Sequence, residues 1–103
     1  AHMWELAGFW PGPNHDFATA RPVDVIESPR VAPTSLIHPT EKPVELIKKL
    51  LLHHKCQQVI DPYMGSGSTL RAAKDLGIPA IGIEISEAYC QRAVHRLSQE
   101  VLL

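Results

Sequence analysis

The chain has 103 residues and a formal net charge of -1, with 45% apolar and 20% charged residues. That length holds one domain, and the balance excludes collagen, coiled coil and wholesale disorder. No apolar stretch approaches the ~20 residues of a membrane-spanning helix. Ten basic side chains against eleven acidic ones write no strong attraction to nucleic acid into the totals.

Ala1-His2-Met3 reads as the remnant of a cleaved expression tag and is set apart from the fold. The rest divides near residue 38. Residues 4–37 form an irregular arm holding Trp4, Phe9, Trp10 and Phe17, with Pro11-Gly12-Pro13 forcing a turn or extended segment. Val23-Asp24-Val25-Ile26, between Pro22 and Pro29, is the one strand expected there. Its aromatics are expected to pack on a neighbouring surface.

Residues 38–103 are regular. Pro43 opens an apolar pattern, Val44, Ile47, Leu51 with Leu46 and Leu50, that predicts a helix over about 43–54. His53, His54 and Cys56 follow. Adjacent helical histidines point about 100° apart, so a solvated helix end is favoured over a metal site. Val59-Ile60 reads as a buried strand ending at Asp61-Pro62. The loop Tyr63-Met64-Gly65-Ser66-Gly67 leads into a helix over about 68–76, with Leu70, Ala73 and Leu76 inward and Gly77 as its stop. Residues 80–85, Ala-Ile-Gly-Ile-Glu-Ile, read as a second, parallel strand covered on both faces. Ser86 caps a last helix with Glu87 in its first turn. Tyr89, Ala93, Leu97 and Val101 form its inner face, with Cys90 and Val94 alongside. The order predicts an α/β fold: a βαβ unit of parallel strands flanked by helices, part of a Rossmann-like sheet. Cys56 and Cys90, two lone thiols, fit a reducing cytoplasm.

The chemistry gathers at the glycine loop. Gly65-Ser66-Gly67 lies between a strand and a helix, where glycine lets a ligand approach the backbone closely. The helix start near Ser68 and Thr69 attracts a carboxylate or phosphate. Glu84 follows at the carboxyl end of the next strand, where a carboxylate can accept hydrogen bonds from both hydroxyls of a ribose. A lone Gly-x-Gly is also a common tight turn; Glu84 in that place favours an adenosine-type cofactor. There is no Gly-Lys-Ser/Thr, position 70 is Leu where a dinucleotide fingerprint has glycine, and no Gly-x-Ser-x-Gly elbow fits. A second constellation is His38-Pro39-Thr40-Glu41-Lys42-Pro43. Either Thr40 and Pro43 simply start the helix, or Lys42 or Thr40 reaches a bound anion from a wall fixed by two prolines.

His38–Pro43, Asp61-Pro62-Tyr63-Met64-Gly65-Ser66-Gly67-Ser68-Thr69, Gly82-Ile83-Glu84-Ile85 and Tyr89-Cys90 together resemble the amino-methylating DNA methyltransferases. Those enzymes transfer methyl from S-adenosylmethionine to the exocyclic amine of adenine (N6) or cytosine (N4). The resemblance spans about residues 38–98, and more loosely Asp24–Arg30. It implies that the loop of Gly65, Ser66, Gly67, Ser68 and Thr69 wraps the methionine end of the cofactor. It implies that Glu84 holds the ribose and that Ile85 borders the adenine. His38, Thr40 and Lys42 would lie near the methionine carboxylate, with Asp61 and Tyr63 beside the cofactor's polar groups. The family's catalytic motif is Asp, Asn or Ser, then Pro-Pro, then an aromatic residue that stacks on the flipped base. None of the nine prolines is adjacent to another, and Asp61-Pro62-Tyr63 leads straight into the cofactor loop. No catalytic residue is therefore assigned. The expectation is a C-terminal, cofactor-binding portion, inactive alone, from the interior of a bacterial, phage or archaeal cell. Its partners would be DNA in the full enzyme, and a catalytic half or a second copy at the exposed sheet edge. The other readings are an assembly module that complements a separate catalytic chain and a degenerate remnant that binds nothing.

Overall fold

The computed structural model describes residues 42–99, together with the single positions 8, 10, 12, 13 and 26. The arm, the strand expected at 23–26 apart from Ile26, and His38, Thr40 and Val101 lie outside the described residues. Ile26 itself carries no regular structure.

Helix α1, Val44–His53, starts where Pro43 sits in extended backbone, its carbonyl accepting from Ile47 N at 3.3 Å. Proline suits that position because it lacks the N–H that a helix start leaves unpaired. His54 closes the helix by donating to Leu50 O at 3.2 Å. Strand β1, Val59–Asp61, and strand β2, Ala80–Gly82, pair in parallel with Ile60 opposite Ile81. Between them runs α2, Ser68–Asp75, and after β2 comes α3, Glu87–Leu97. Among the described residues the fold is thus a βαβ unit with one helix before it and one after, part of the expected α/β sheet.

Helix α2 is the hub. It touches α1, α3 and both strands. Its inner face is alanine: Ala72 and Ala73 are fully buried, and Ala93 of α3 is 1% exposed. Small side chains let the helix backbones approach closely, so the centre is tight although no large side chain among the described residues is fully buried. Leu70 and Leu76 are half-buried around it.

Charge ties the three helices together. Lys48 of α1 reaches Asp75 of α2 at 3.2 Å and Glu45 at 3.2 Å. Asp75 Oδ1 is buried and accepts no well-aligned hydrogen bond; charge holds it, with Arg71 Nε at 2.9 Å. Arg71 Nη1 then donates to the carbonyls of Arg96 at 3.1 Å and Gln99 at 3.0 Å. Lys74 Nζ donates to Leu97 O and, at 2.9 Å, to Gln99 O. Two cations from α2 therefore meet the negative end of α3, each contact of a kind that contributes about 0.3–1 kcal/mol.

Three expectations are corrected. β2 ends at Gly82 rather than at residue 85. Beyond it, Ile83 N still donates to Asp61 O at 2.8 Å, and Ile83 O accepts from Met64 N at 3.0 Å, so pairing passes from strand to loop. The strands are not covered on both faces: Ile60 is 67% and Ile81 62% exposed. A Cβ on Gly82 would point at Leu70 of α2, so Ile81, one residue earlier, faces the other way. No helix lies on that second face among the described residues. Val94, expected beside the inner face of α3, is exposed; Ala93 takes the inward position. Among the described residues, no helix is long and apolar enough to cross a membrane.

Candidate functional site

Both strands run in the same direction, so their carboxyl ends open at one edge, where ligands bind in open α/β sheets. At that edge Asp61 leaves β1 and Oδ1 accepts from Tyr63 N at 3.0 Å. This local turn swings the chain away from the sheet. Gly67 N donates to Met64 O at 2.9 Å, which folds the loop tightly onto the start of α2.

Gly67 is required twice over. Its φ of 89° lies in the left-handed region, and a Cβ there would stand 3.0 Å from Ala93 Cβ. The loop is thereby pressed against α3, and Ser66 and Ser68 are buried at 2% and 7% exposure. Arg96 of α3 reaches them from behind, donating to Ser68 Oγ at 3.1 Å and, at the long limit of 3.5 Å, to Ser66 Oγ.

Glu84 faces the loop from the end of β2. Its Oε1 accepts from Gly65 N at 3.1 Å and its Oε2 from Ser86 N at 2.9 Å. Each oxygen takes one backbone N–H, and a carboxylate has about four acceptor positions in all. Ser86 in turn caps α3, its Oγ accepting from Tyr89 N at 3.3 Å, as the sequence predicts. Cys90 Sγ donates to Glu84 O at 3.4 Å, which fixes the carboxylate's own backbone. The acid is held by loop, cap and thiol at once.

These groups enclose a cleft of about 360 Å³, within the ~300–1,000 Å³ of small-molecule sites. Lys42, Asp61, Tyr63, Gly65, Ser66, Ser68, Thr69 and Glu84 line it together with Ile47 and Met64. Gly67 turns away from the cleft toward Ala93, and Ile85 is fully exposed and outside the lining. Lys42 comes to the cleft from the start of α1, so the two distant segments singled out in the sequence do meet there. His38 and Thr40 lie outside the described residues. Ile47 was legible only as part of an apolar helix face and Met64 only as part of the loop; neither was singled out as a site residue. A second hollow, of about 390 Å³, lies at the amino end of β2 against Leu70 and Leu97. Its single charged lining residue, Lys74, already donates to the end of α3.

The cleft is electrically two-ended. At one end Glu84 and Asp61 offer acceptors. At the other α2 begins without a side-chain cap and without an acid in its first turn, so its positive end stays uncompensated. A ligand with hydroxyls at one end and an anion at the other fits both.

The profile of the N6/N4 DNA methylase family, described as DNA methylase, matches residues 2–95. The chain belongs to this DNA methylase family. YubD of Escherichia coli (strain K12) is 44% identical over 63 residues, covering 59% of this chain and 28% of its own. The type II methyltransferase M.HpaI of Haemophilus parainfluenzae is 37% identical over 65 residues, covering 61% of this chain and 21% of its own. The crystal structure of the M1.HpyAVI–SAM complex superimposes with a TM-score of 0.67 at 32% identity, covering 82% of this chain and 45% of that one. The chain thus spans about a quarter of the length of the curated relatives it matches.

Proposed function

We propose that this chain is the S-adenosylmethionine-binding portion of a DNA methyltransferase acting on the exocyclic amine of adenine or cytosine. One observation carries the reading: a carboxylate just past β2, hydrogen-bonded to the glycine loop, lines one cleft together with that loop and the open start of α2. Glu84 keeps acceptor capacity on both oxygens, which suits two ribose hydroxyls. Ser66, Ser68, Thr69 and Lys42 suit the methionine carboxylate. Asp61 and Tyr63 border the polar middle, and Gly65 and Gly67 shape the loop. The cofactor, when bound, supplies an electrophilic methyl group; the residues of this chain bind and orient it. Family membership and the S-adenosylmethionine complex of a structural relative support the assignment.

The test is titration calorimetry with S-adenosylmethionine. Saturable binding is expected, weakened at least tenfold, about 1.4 kcal/mol, by Glu84→Ala. Binding insensitive to that substitution refutes the assigned pocket. With no Pro-Pro-aromatic motif in the sequence, radiolabelled methyl transfer to unmethylated DNA should stay at background. Clear turnover would overturn that part of the reading.

A second reading, assembly, has its own observation. Ile60, Ile81 and Ile83 expose apolar surface along one side of the two-stranded sheet at 67%, 62% and 55%. Such a stripe favours pairing with a catalytic half or a second copy. Light scattering should then give a mass that rises with concentration, or a complex with a chain bearing the Pro-Pro-aromatic motif. A concentration-independent monomer that captures no such chain excludes it.

A further inference from the structure

Arg96 of α3 reaches the start of α2. Its guanidinium lies against Ser68, the first residue of α2, where the helix dipole is already positive. A cation is ordinarily stabilising at the other end of a helix. The first turn of α2 holds no acid, and its N-cap is glycine without a side-chain acceptor. Two sources of positive potential, the guanidinium and the helix start, thus meet at Ser68.

The contact is also directional. Arg96 is absent from the lining of the cleft, whereas Ser66 and Ser68 are part of it. Both hydroxyl oxygens accept from the guanidinium, at 3.5 Å and 3.1 Å. A hydroxyl whose oxygen accepts from a cation becomes a stronger donor through its own proton. That proton is the group each serine can donate to an anion. Behind the guanidinium, the Arg96 carbonyl accepts from Arg71 Nη1 at 3.1 Å, so its backbone is anchored to the same helix that the loop begins.

We infer that Arg96 is a positioning residue for the cofactor loop. From behind the loop it orients Ser66 and Ser68 so that their hydroxyls donate to an anionic group in the cleft. This rests on the proposed binding of S-adenosylmethionine, whose methionine carboxylate is that group. Arg96 discriminates between the two ends of the ligand: it strengthens the hold on the amino-acid end and leaves the nucleoside end to Glu84.

The experiment uses two ligands that differ only at the amino-acid end, S-adenosylhomocysteine and methylthioadenosine. Arg96→Met is expected to weaken the first by about tenfold, the scale of losing hydrogen bonds from a charged donor, and to leave the second unchanged. Arg96→Lys should recover part of the loss. Ser68→Ala, which leaves the packing nearly intact, should weaken S-adenosylhomocysteine alike, and the double variant should add little to either. Equal weakening of both ligands marks a merely structural role and overturns the inference, as does unchanged affinity for S-adenosylhomocysteine. Amide hydrogen exchange on the ligand-free chain is the independent arm. Arg96→Met should speed exchange across residues 65–69 while β1 and α1 are unaffected; unchanged loop exchange overturns the inference. Should the unaltered chain bind neither ligand, the proposed function fails, and the exchange result still decides whether Arg96 holds the loop.

Discussion

Replacing Gly82 by alanine should destabilise the fold by crowding the contact between β2 and α2. A Cβ at Gly82 would fall on Met64 Sδ and stand 2.7 Å and 2.9 Å from the two terminal carbons of Leu70. Optimal carbon–carbon separation is ~3.5–4.0 Å, so those neighbours must withdraw by roughly 1 Å. Met64 is flexible and can move. Leu70 projects from α2, the helix that touches every other element, and its retreat loosens the contact between helix and sheet. Overpacking of this kind costs about 1–3 kcal/mol. For a domain of this size about 2 kcal/mol lowers the melting temperature by roughly 8–16 °C. Gly77→Ala is the control: its φ of 72° carries strain, but nothing lies within 4 Å of the new atom, so the cost is about 1 kcal/mol. Thermal unfolding followed by circular dichroism compares the two. A Gly82 variant as stable as the unaltered chain, or no less stable than the Gly77 variant, refutes the packing argument. Met64 also lines the cleft, so its displacement should weaken S-adenosylmethionine binding, an effect absent in the Gly77 variant.

The remaining predictions concern charge, capping and the bare face of the sheet. Lys48 is raised above 10.5, chiefly by its hydrogen bond to Asp75. A raised lysine stabilises the fold below its unfolded value, and the contribution disappears as pH climbs through the folded one. Lys48→Met should therefore cost about 1 kcal/mol near neutrality, with the difference from the parent shrinking above pH 10.5 in urea unfolding; a pH-independent gap contradicts the ion pair. Ser86→Ala removes the acceptor for Tyr89 N and should cost about 1 kcal/mol, read as a lower urea midpoint at unchanged slope. Ile81→Lys should leave the melting temperature within a few degrees, because the side chain is 62% exposed, while abolishing any concentration-dependent mass; a large drop in melting temperature means that the residue is buried in solution.

Local signals were the legible ones. The apolar spacing from Val44 to Leu51 announced α1 to within a residue at each end. Ser86 announced its own helix because an N-cap needs only a hydroxyl three residues before the N–H it accepts. The meeting of loop and Glu84 was legible because strand–loop–helix–strand order fixes which ends share an edge; Lys42 was placed beside them only by the family resemblance. Burial was not. Ile60 and Ile81 have the composition of strands covered twice, and hydropathy records only that a side chain tolerates cover, not what supplies it. The length of β2 was overread for a related reason: Ile83 continues the apolar run, but its hydrogen bonds go to Asp61 and Met64 in the loop.

The cations were the deepest omission, and they explain why so small a core suffices to order the cleft. Apart from the local Arg71–Asp75 pair, Arg71, Lys74 and Arg96 look in the sequence like an ordinary solvated helix surface, because these hydrogen-bond partners lie 23 to 30 residues away and are backbone carbonyls or hydroxyls. No spacing rule reaches across that distance to an uncharged partner. Yet the three residues join the end of α3 to both ends of α2: Arg71 and Lys74 grip the last carbonyls of α3, and Arg96 grips the serines where α2 begins. Alanines bring the two helices close enough for these reaches to close. Small residues at the contact and long cations at its margins are thus one device. The alanines set the distance, the cations set the register, and the register determines where the loop stands relative to Glu84. A substitution that enlarges Ala93 would strike the same loop through Gly67, whose missing Cβ would stand 3.0 Å away. The ligand cleft is therefore controlled as much by the α2–α3 contact behind it as by the residues that line it.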